Sequence, residues 1–105
     1  MSEIDAEDAK IITLARAARA RNSAAEGAAV RDETGRTYSA TTVELPSLKL
    51  SALQVAVAMA VSSGAESLEA AAIVTEGDPD ISAVRDLSVG TVLVAAPDGS
   101  LRETL

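Results

Sequence analysis

The chain lacks histidine, cysteine, tryptophan and phenylalanine altogether, and its aromatic content is a single tyrosine. Each absence removes a class of chemistry. Without cysteine there is no disulfide, no thiolate nucleophile and no thiolate metal ligand. Without histidine there is no imidazole base and no Ser-His-Asp triad. Zinc takes its ligands chiefly from those two residue types, so no metal site of that kind is expected, and no other cofactor is indicated. The formal charge is −7, from sixteen acidic against nine basic side chains. That balance, with so few stacking rings, argues against nucleic acid as a partner. Carboxylate chemistry, oxygen-ligated metals or no chemistry at all remain.

What is present fits one small domain spanning residues 1–105, 48% hydrophobic and 24% charged. The apolar share leans on alanine, which buries little area, so Leu, Ile and Val must supply the core. A short chain with a small-residue core is marginal alone, and a homo-oligomer is expected. The segment MSEIDAEDAK is acidic without an apolar signal core, which points to a cytoplasmic protein. The longest apolar run, residues 52–61 interrupted only by Gln54, falls short of the roughly 18 residues of a membrane span, so no membrane association is expected.

Along residues 5–21 apolar side chains recur near the 3.6-residue period (Ile4, Ile11, Leu14, Ala15, Ala18), which predicts a helix. Glu7 and Asp8 lie in its first turns and Arg16, Arg19 and Arg21 in its last, matching the helix dipole. Residues 27–30, the turn Asp32-Glu33-Thr34-Gly35 and the threonine-rich residues 36–44 around Tyr38 predict a hairpin. Pro46 and Ser47 are expected to open a second helix that ends at Gly64. Its interior, ALQVAVAMAV, is apolar almost all round and should be buried on most faces. Residues 70–75 read as a buried strand, and 79–87 as a short helix capped by Asp78 or Asp80. A strand over 91–96, the turn Pro97-Asp98-Gly99 and a terminal strand over 100–104 complete the order α-β-β-α-β-(α)-β-β. That order belongs to a mixed sheet packed with helices, α/β or α+β.

Two stretches, EGAAVRDETGRTYSATTVE (26–44) and SALQVAVAMAVSSG (51–64), resemble the cytidine deaminase family of free-nucleoside deaminases. The family pattern runs V-G-A-A-L, a D-G turn, a strand ending N-x-E, then C-A-E-R-x-A-L-x-x-A-V-S-x-G. Gly27, Ala28, Ala29, Gly35, Val43 and Glu44 match its first half. Ala52, Ala56, Ala60, Val61, Ser62 and Gly64 match its second half at unchanged spacing. The correspondence extends over about residues 14–105 and implies a three-layer α/β sandwich, a mixed five-stranded sheet with helices on both faces.

The same resemblance implies zinc chemistry that these residues do not supply. Zinc deaminases use three His or Cys ligands and a glutamate that moves protons. Ser51 stands where the first zinc-binding cysteine would be, Leu53 where the catalytic glutamate would be, and the P-C-x-x-C pair has no counterpart beyond Pro79. Ala24 stands at the position of the aromatic that packs on the base. Of the ribose-binding N-x-E pair, Glu44 is kept and Thr42 replaces the asparagine, while the spacer to Ser51 is about two residues short. Leu48, Leu50 and Leu53 are expected to fill the former site with methyl groups, replacing the metal as a stabilising element. Subunit interfaces in the family form around the second helix, and active sites form between subunits.

Other constellations compete with simpler readings. Glu44 is either a residual ribose contact or an ordinary strand-end charge, and Ser51 has only Lys49 nearby as a base, so a helix cap is favoured over a nucleophile. Glu76, Asp78 and Asp80 alternate as in a cation loop, but the sixth position counted from Glu76 is Ile81 rather than glycine. The cluster Arg16, Arg19, Arg21 reads as a solvated helix end, with docking of an acidic partner as the sharper alternative. No G-x-G-x-x-G or P-loop occurs.

The expected function is therefore a catalytically inactive cytidine-deaminase-like protein, not an enzyme, serving as a structural or protein-interaction module. Its acidic surface favours a partner with a basic face. Two alternatives stand beside it: a module that senses a nucleoside or nucleotide through Thr42 and Glu44, and a deaminase homologue active only with a partner chain.

Overall fold

The computed structural model describes residues 4–105; residues 1–3 of the expected single domain lie outside the described residues. Helix α1, Ala6–Asn22, begins where the Asp5 side chain accepts the Glu7 amide at 2.8 Å. It ends at Ser23, which turns left-handed at φ 49° and donates its N–H to the Ala20 carbonyl. Strands β1, Gly27–Asp32, and β2, Thr37–Thr41, form the expected hairpin. The Asp32 carboxylate organises its turn, accepting from the Thr34 amide and hydroxyl, the Arg36 amide and the Tyr38 hydroxyl. Strand β5, Leu68–Val74, helix α3, Ser82–Arg85, and strands β6, Val89–Ala95, and β7, Leu101–Thr104, complete the C-terminal half.

Five strands form one sheet in the order β2-β1-β5-β6-β7, parallel between β5 and β6 and antiparallel elsewhere. Its central strands are apolar on both faces because both are covered. On one face Ile11, Ile12 and Ala15 of α1 pack on Ala29, Ala70, Ala72, Val74 and Leu93. On the other, helix α2, Ala52–Ser62, sets Leu53, Ala56 and Ala60 against Val30, Ala71, Ile73 and Val92, joined by Val84 of α3. Alanines facing α1 let its backbone come close, and Gly27 takes this furthest (a Cβ there would lie 2.0 Å from the Ala15 carbonyl oxygen). Arg31 clamps the same layer, reaching Glu69 at 2.8 Å and Asp8 at 3.0 Å. The three-layer mixed sandwich is thus the architecture the resemblance implied.

Four expectations are corrected. The run over 36–44 is not one strand: it breaks at Thr42, and a separate ribbon follows, β3 (Val43–Leu45) paired with β4 (Leu48–Leu50). Pro46 and Ser47 form the turn of that ribbon and do not open a helix; α2 starts only after Ser51. Pro46 offered a stiff φ usable in either a helix start or a turn, and the cross-strand pair Leu45–Leu48 settles it as a turn. Nor is α2 buried on most faces. Met59 and Val61 are 40% and 49% exposed, because sheet and α3 cover one side only. At α3 the N-cap is Ile81, with no side-chain cap; Asp80 instead accepts from the Ser82 amide and hydroxyl. No helix among the described residues is long and apolar enough to cross a membrane.

Candidate functional site

Beyond the C-terminal end of β5 the chain opens a cleft of about 560 Å³, where ligand sites of open α/β sheets commonly lie. One wall is the loop Thr75, Glu76 and Gly77; another is the β3–β4 ribbon with Val43, Glu44, Lys49 and Leu50; Arg19 of α1 and Glu26 close the rim. Thr42, Glu44 and Ser51, singled out in the sequence, all line this one cleft. Leu53 does not. It is wholly buried beneath α2, in the core cluster shared with β1, β5 and β6. Ala24 and Pro79 lie outside the lining as well.

Several side chains of the cleft hold the local backbone in place. Ser51 is the N-cap of α2: its Oγ accepts the Gln54 amide at 3.2 Å, and Gln54 Oε1 accepts the Ser51 amide at 2.8 Å. The hydroxyl is committed to the helix, so the cap reading stands. Buried Thr75 donates its hydroxyl to Glu26 at 3.3 Å and accepts the Gly77 amide at 3.1 Å. Arg102 of β7 pins this loop from behind, donating to the Thr75 carbonyl at 3.1 Å and the Gly77 carbonyl at 2.7 Å. Thr42 is different: its Oγ1 is buried without any hydrogen-bond partner.

The sequence clusters dissolve or divide here. Glu76 borders the cleft, Asp78 lies 3.8 Å from Arg102, and the Ser82 hydroxyl and amide hold the Asp80 carboxyl below its ordinary range. Arg16 donates to the Pro97 carbonyl at 3.1 Å, whereas Arg19 donates to the Ala25 carbonyl at 3.2 Å and reaches the cleft. The expected methyl filling also divides. Leu53 is buried, Leu50 lines the cleft, and Leu48 is 48% exposed at the tip of the ribbon, so it fills nothing. Arg19, Glu26, Thr75 and Glu76 share the cleft although no local pattern groups them: Arg19 belongs to a basic helix end, Glu76 to an acidic loop, and Glu26 and Thr75 carry only adjacency to the E-G-A-A stretch and to the end of a buried strand.

The zinc set implied by the resemblance does not fit these residues. With Ser51 spent as a cap and Leu53 buried, neither position offers a ligand or a proton carrier. Among the described residues no three His, Cys, Asp or Glu side chains come together as a metal-holding group.

Comparison with solved structures finds the same fold. The cytidine deaminase from Burkholderia pseudomallei superposes with a TM-score of 0.74 at 24% identity, covering 91% of this chain and 89% of that one. The cytidine deaminase from Mycobacterium leprae gives 0.65 at 23% identity, covering 89% of each chain. A single-residue mutant of the Mycobacterium tuberculosis enzyme gives 0.67 at 23%, covering 96% and 92%. No curated protein matches the chain. The family model described as cytidine deaminase-like matches residues 4–99, nearly the whole chain. This chain belongs to the cytidine deaminase-like family.

Proposed function

We propose that this chain is a catalytically inactive member of its family, a cytoplasmic, homo-oligomeric module that works through structure and protein contact and carries no cofactor. The observation that supports this most is Leu53. At the position where the resemblance places a proton-moving glutamate stands a side chain with no exposed surface and no proton to move. The contact role draws support from α2. No charged residue occurs from Leu50 through Ala65, yet Met59 and Val61 face solvent, and an uncharged apolar face is where chains of net charge −7 can meet without repulsion. A partner with a basic face is the complementary choice for the acidic remainder of the surface.

The test is turnover. The full-length protein, with and without added zinc, is incubated with cytidine and deoxycytidine and the loss of substrate followed by absorbance. The expected rate equals that of buffer alone; sustained turnover that scales with protein concentration refutes the reading.

One observation favours a second reading, a nucleoside- or nucleotide-binding module. The Thr42 hydroxyl is buried and unpaired in the cleft that Glu44 also lines. An unmet polar group of this kind costs about 1–3 kcal/mol, which a ligand hydroxyl would recover. A thermal-shift panel of nucleosides and nucleotides decides it: a raised melting temperature that Glu44→Ala abolishes supports binding, and a flat panel removes it.

A further inference from the structure

In the family it resembles, a metal would join two pieces of this cleft, the start of α2 and the loop after β5. In this chain each piece is held by groups of its own. At the helix start the reciprocal Ser51–Gln54 bonds satisfy two of the amides that a helix terminus leaves without partners. Ser51 sits in extended backbone at φ −72° and ψ 163°, the conformation of an N-cap. Two residues on, Leu53 anchors the first turn in the core against the sheet. Across the cleft, the loop is fixed by Arg102, whose guanidinium bridges the Thr75 and Gly77 carbonyls, and from within by the Thr75 hydroxyl on the Gly77 amide.

We propose that these groups, the Ser51–Gln54 cap, the Leu53 plug and the Arg102 brace, replace a metal as the structural staple of this fold, so that the chain folds and keeps its cleft without any divalent ion. This goes beyond the loss of catalysis, because an inactive relative can still need a structural metal and the turnover assay would not detect it. The replacement is also exclusive. A carboxylate at position 53 would enter a site with no exposed surface, and a metal ligand at position 51 would surrender the cap. It differs from the sequence expectation in composition: of Leu48, Leu50 and Leu53, only Leu53 takes part, and two polar devices do the rest.

The experiment uses the full chain. Metal content is measured by mass spectrometry, and melting temperature in EDTA, in plain buffer and with zinc chloride. We expect no bound zinc and a melting temperature that EDTA moves by no more than about 1 °C, since only a species that binds the native state shifts it. About one zinc per chain, or a melting temperature lowered several degrees by EDTA and restored by zinc, overturns the proposal. In EDTA, Ser51→Ala and Gln54→Ala should each lower the melting temperature by about 4–8 °C, and the double variant by about their sum, because each side chain accepts from the other residue's backbone amide, which alanine retains. Leu53→Glu should melt far lower or fail to fold; Leu53→Met, similar in volume, should stay close to the parent. For the brace, Arg102→Ala should speed hydrogen exchange at the Gly77 amide while the β1 amides stay protected. Cap variants that melt like the parent, Leu53→Glu as stable as Leu53→Met, or unchanged exchange at Gly77 would each remove its element from the staple.

Discussion

Gly27 carries a sharp prediction because its neighbour is backbone. A Cβ built there lies 2.0 Å from the Ala15 carbonyl oxygen and 2.9 Å from the Arg19 Cβ. Restoring even a 3.0 Å separation requires α1 to move about 1 Å from the sheet, and no rotamer change can substitute for that movement. Ile11, Ile12, Ala15 and Ala18 are buried on that face, so displacement opens the layer they share with Ala29, Ala70 and Val74. Overpacking costs about 1–3 kcal/mol, and a clash with a helix backbone belongs at the upper end. At about 3 kcal/mol, Gly27→Ala should lower the melting temperature by roughly 12–24 °C. Gly77→Ala is the control: the nearest atom to its Cβ is the Thr75 hydroxyl at 3.9 Å, so its effect should stay within about 0.5 kcal/mol. Both are measured by thermal and urea unfolding. If Gly27→Ala is as mild as Gly77→Ala, the close approach of α1 is not what holds this layer. Because Arg19 on the same helix borders the cleft, the variant should also disturb the cleft rim, read as exchange broadening at Ala25 and Glu26 in NMR spectra.

Two further predictions address pH and association. The Asp32 carboxyl is held below its ordinary range, first by the Thr34 hydroxyl, against the cost of burial, and then by the Thr34 and Arg36 amides and the Tyr38 hydroxyl. A value lowered by folding gives stability that is present above the unfolded range, near 3.9, and is lost as pH falls through the lower folded value. Urea unfolding over a pH series should therefore show an acid limb below about pH 4 that is shallower in Asp32→Asn; identical limbs would refute the role given to Asp32. For association, native mass spectrometry should find a dimer or larger assembly, and Met59→Glu with Val61→Glu should shift it to monomer without changing the circular dichroism spectrum. A parent that is monomeric, or a double variant of unchanged mass, would remove α2 as the meeting face.

Where residues 4–105 announced their structure and where they did not has a physical pattern. Helix α1 was legible from one apolar stripe and from charges ordered along the dipole. The β1–β2 turn was legible because Gly35 supplies φ 90° after an aspartate that gathers amides. The ribbon β3–β4 was not, since three-residue strands carry no period and Pro46 serves a turn as readily as a helix start. The solvent side of α2 was hidden for a related reason: a helix apolar all round has no stripe, so only its neighbours decide which side is covered.

The cleft divides along the same line, and the division bears on what kind of site it is. Thr42, Glu44 and Ser51 were legible because they hold fixed positions in two contiguous stretches. Arg19 and Glu26, seven residues apart, are brought to Thr75, and Thr75 to Arg102, only through the sheet, so no local pattern could join them. These illegible residues largely build and brace the walls, while the legible ones mark where chemistry would have sat. The position that the resemblance gives to an acid is closed by the buried Leu53, and Ser51, two residues before it, is bound into its own helix. What stays unmet is the Thr42 hydroxyl, at the end of the cleft that the resemblance gives to a sugar rather than to a base. A ligand in this cleft would therefore meet Glu44 and Lys49 of the ribbon together with Arg19, Glu26 and Glu76, with no contribution from Leu53.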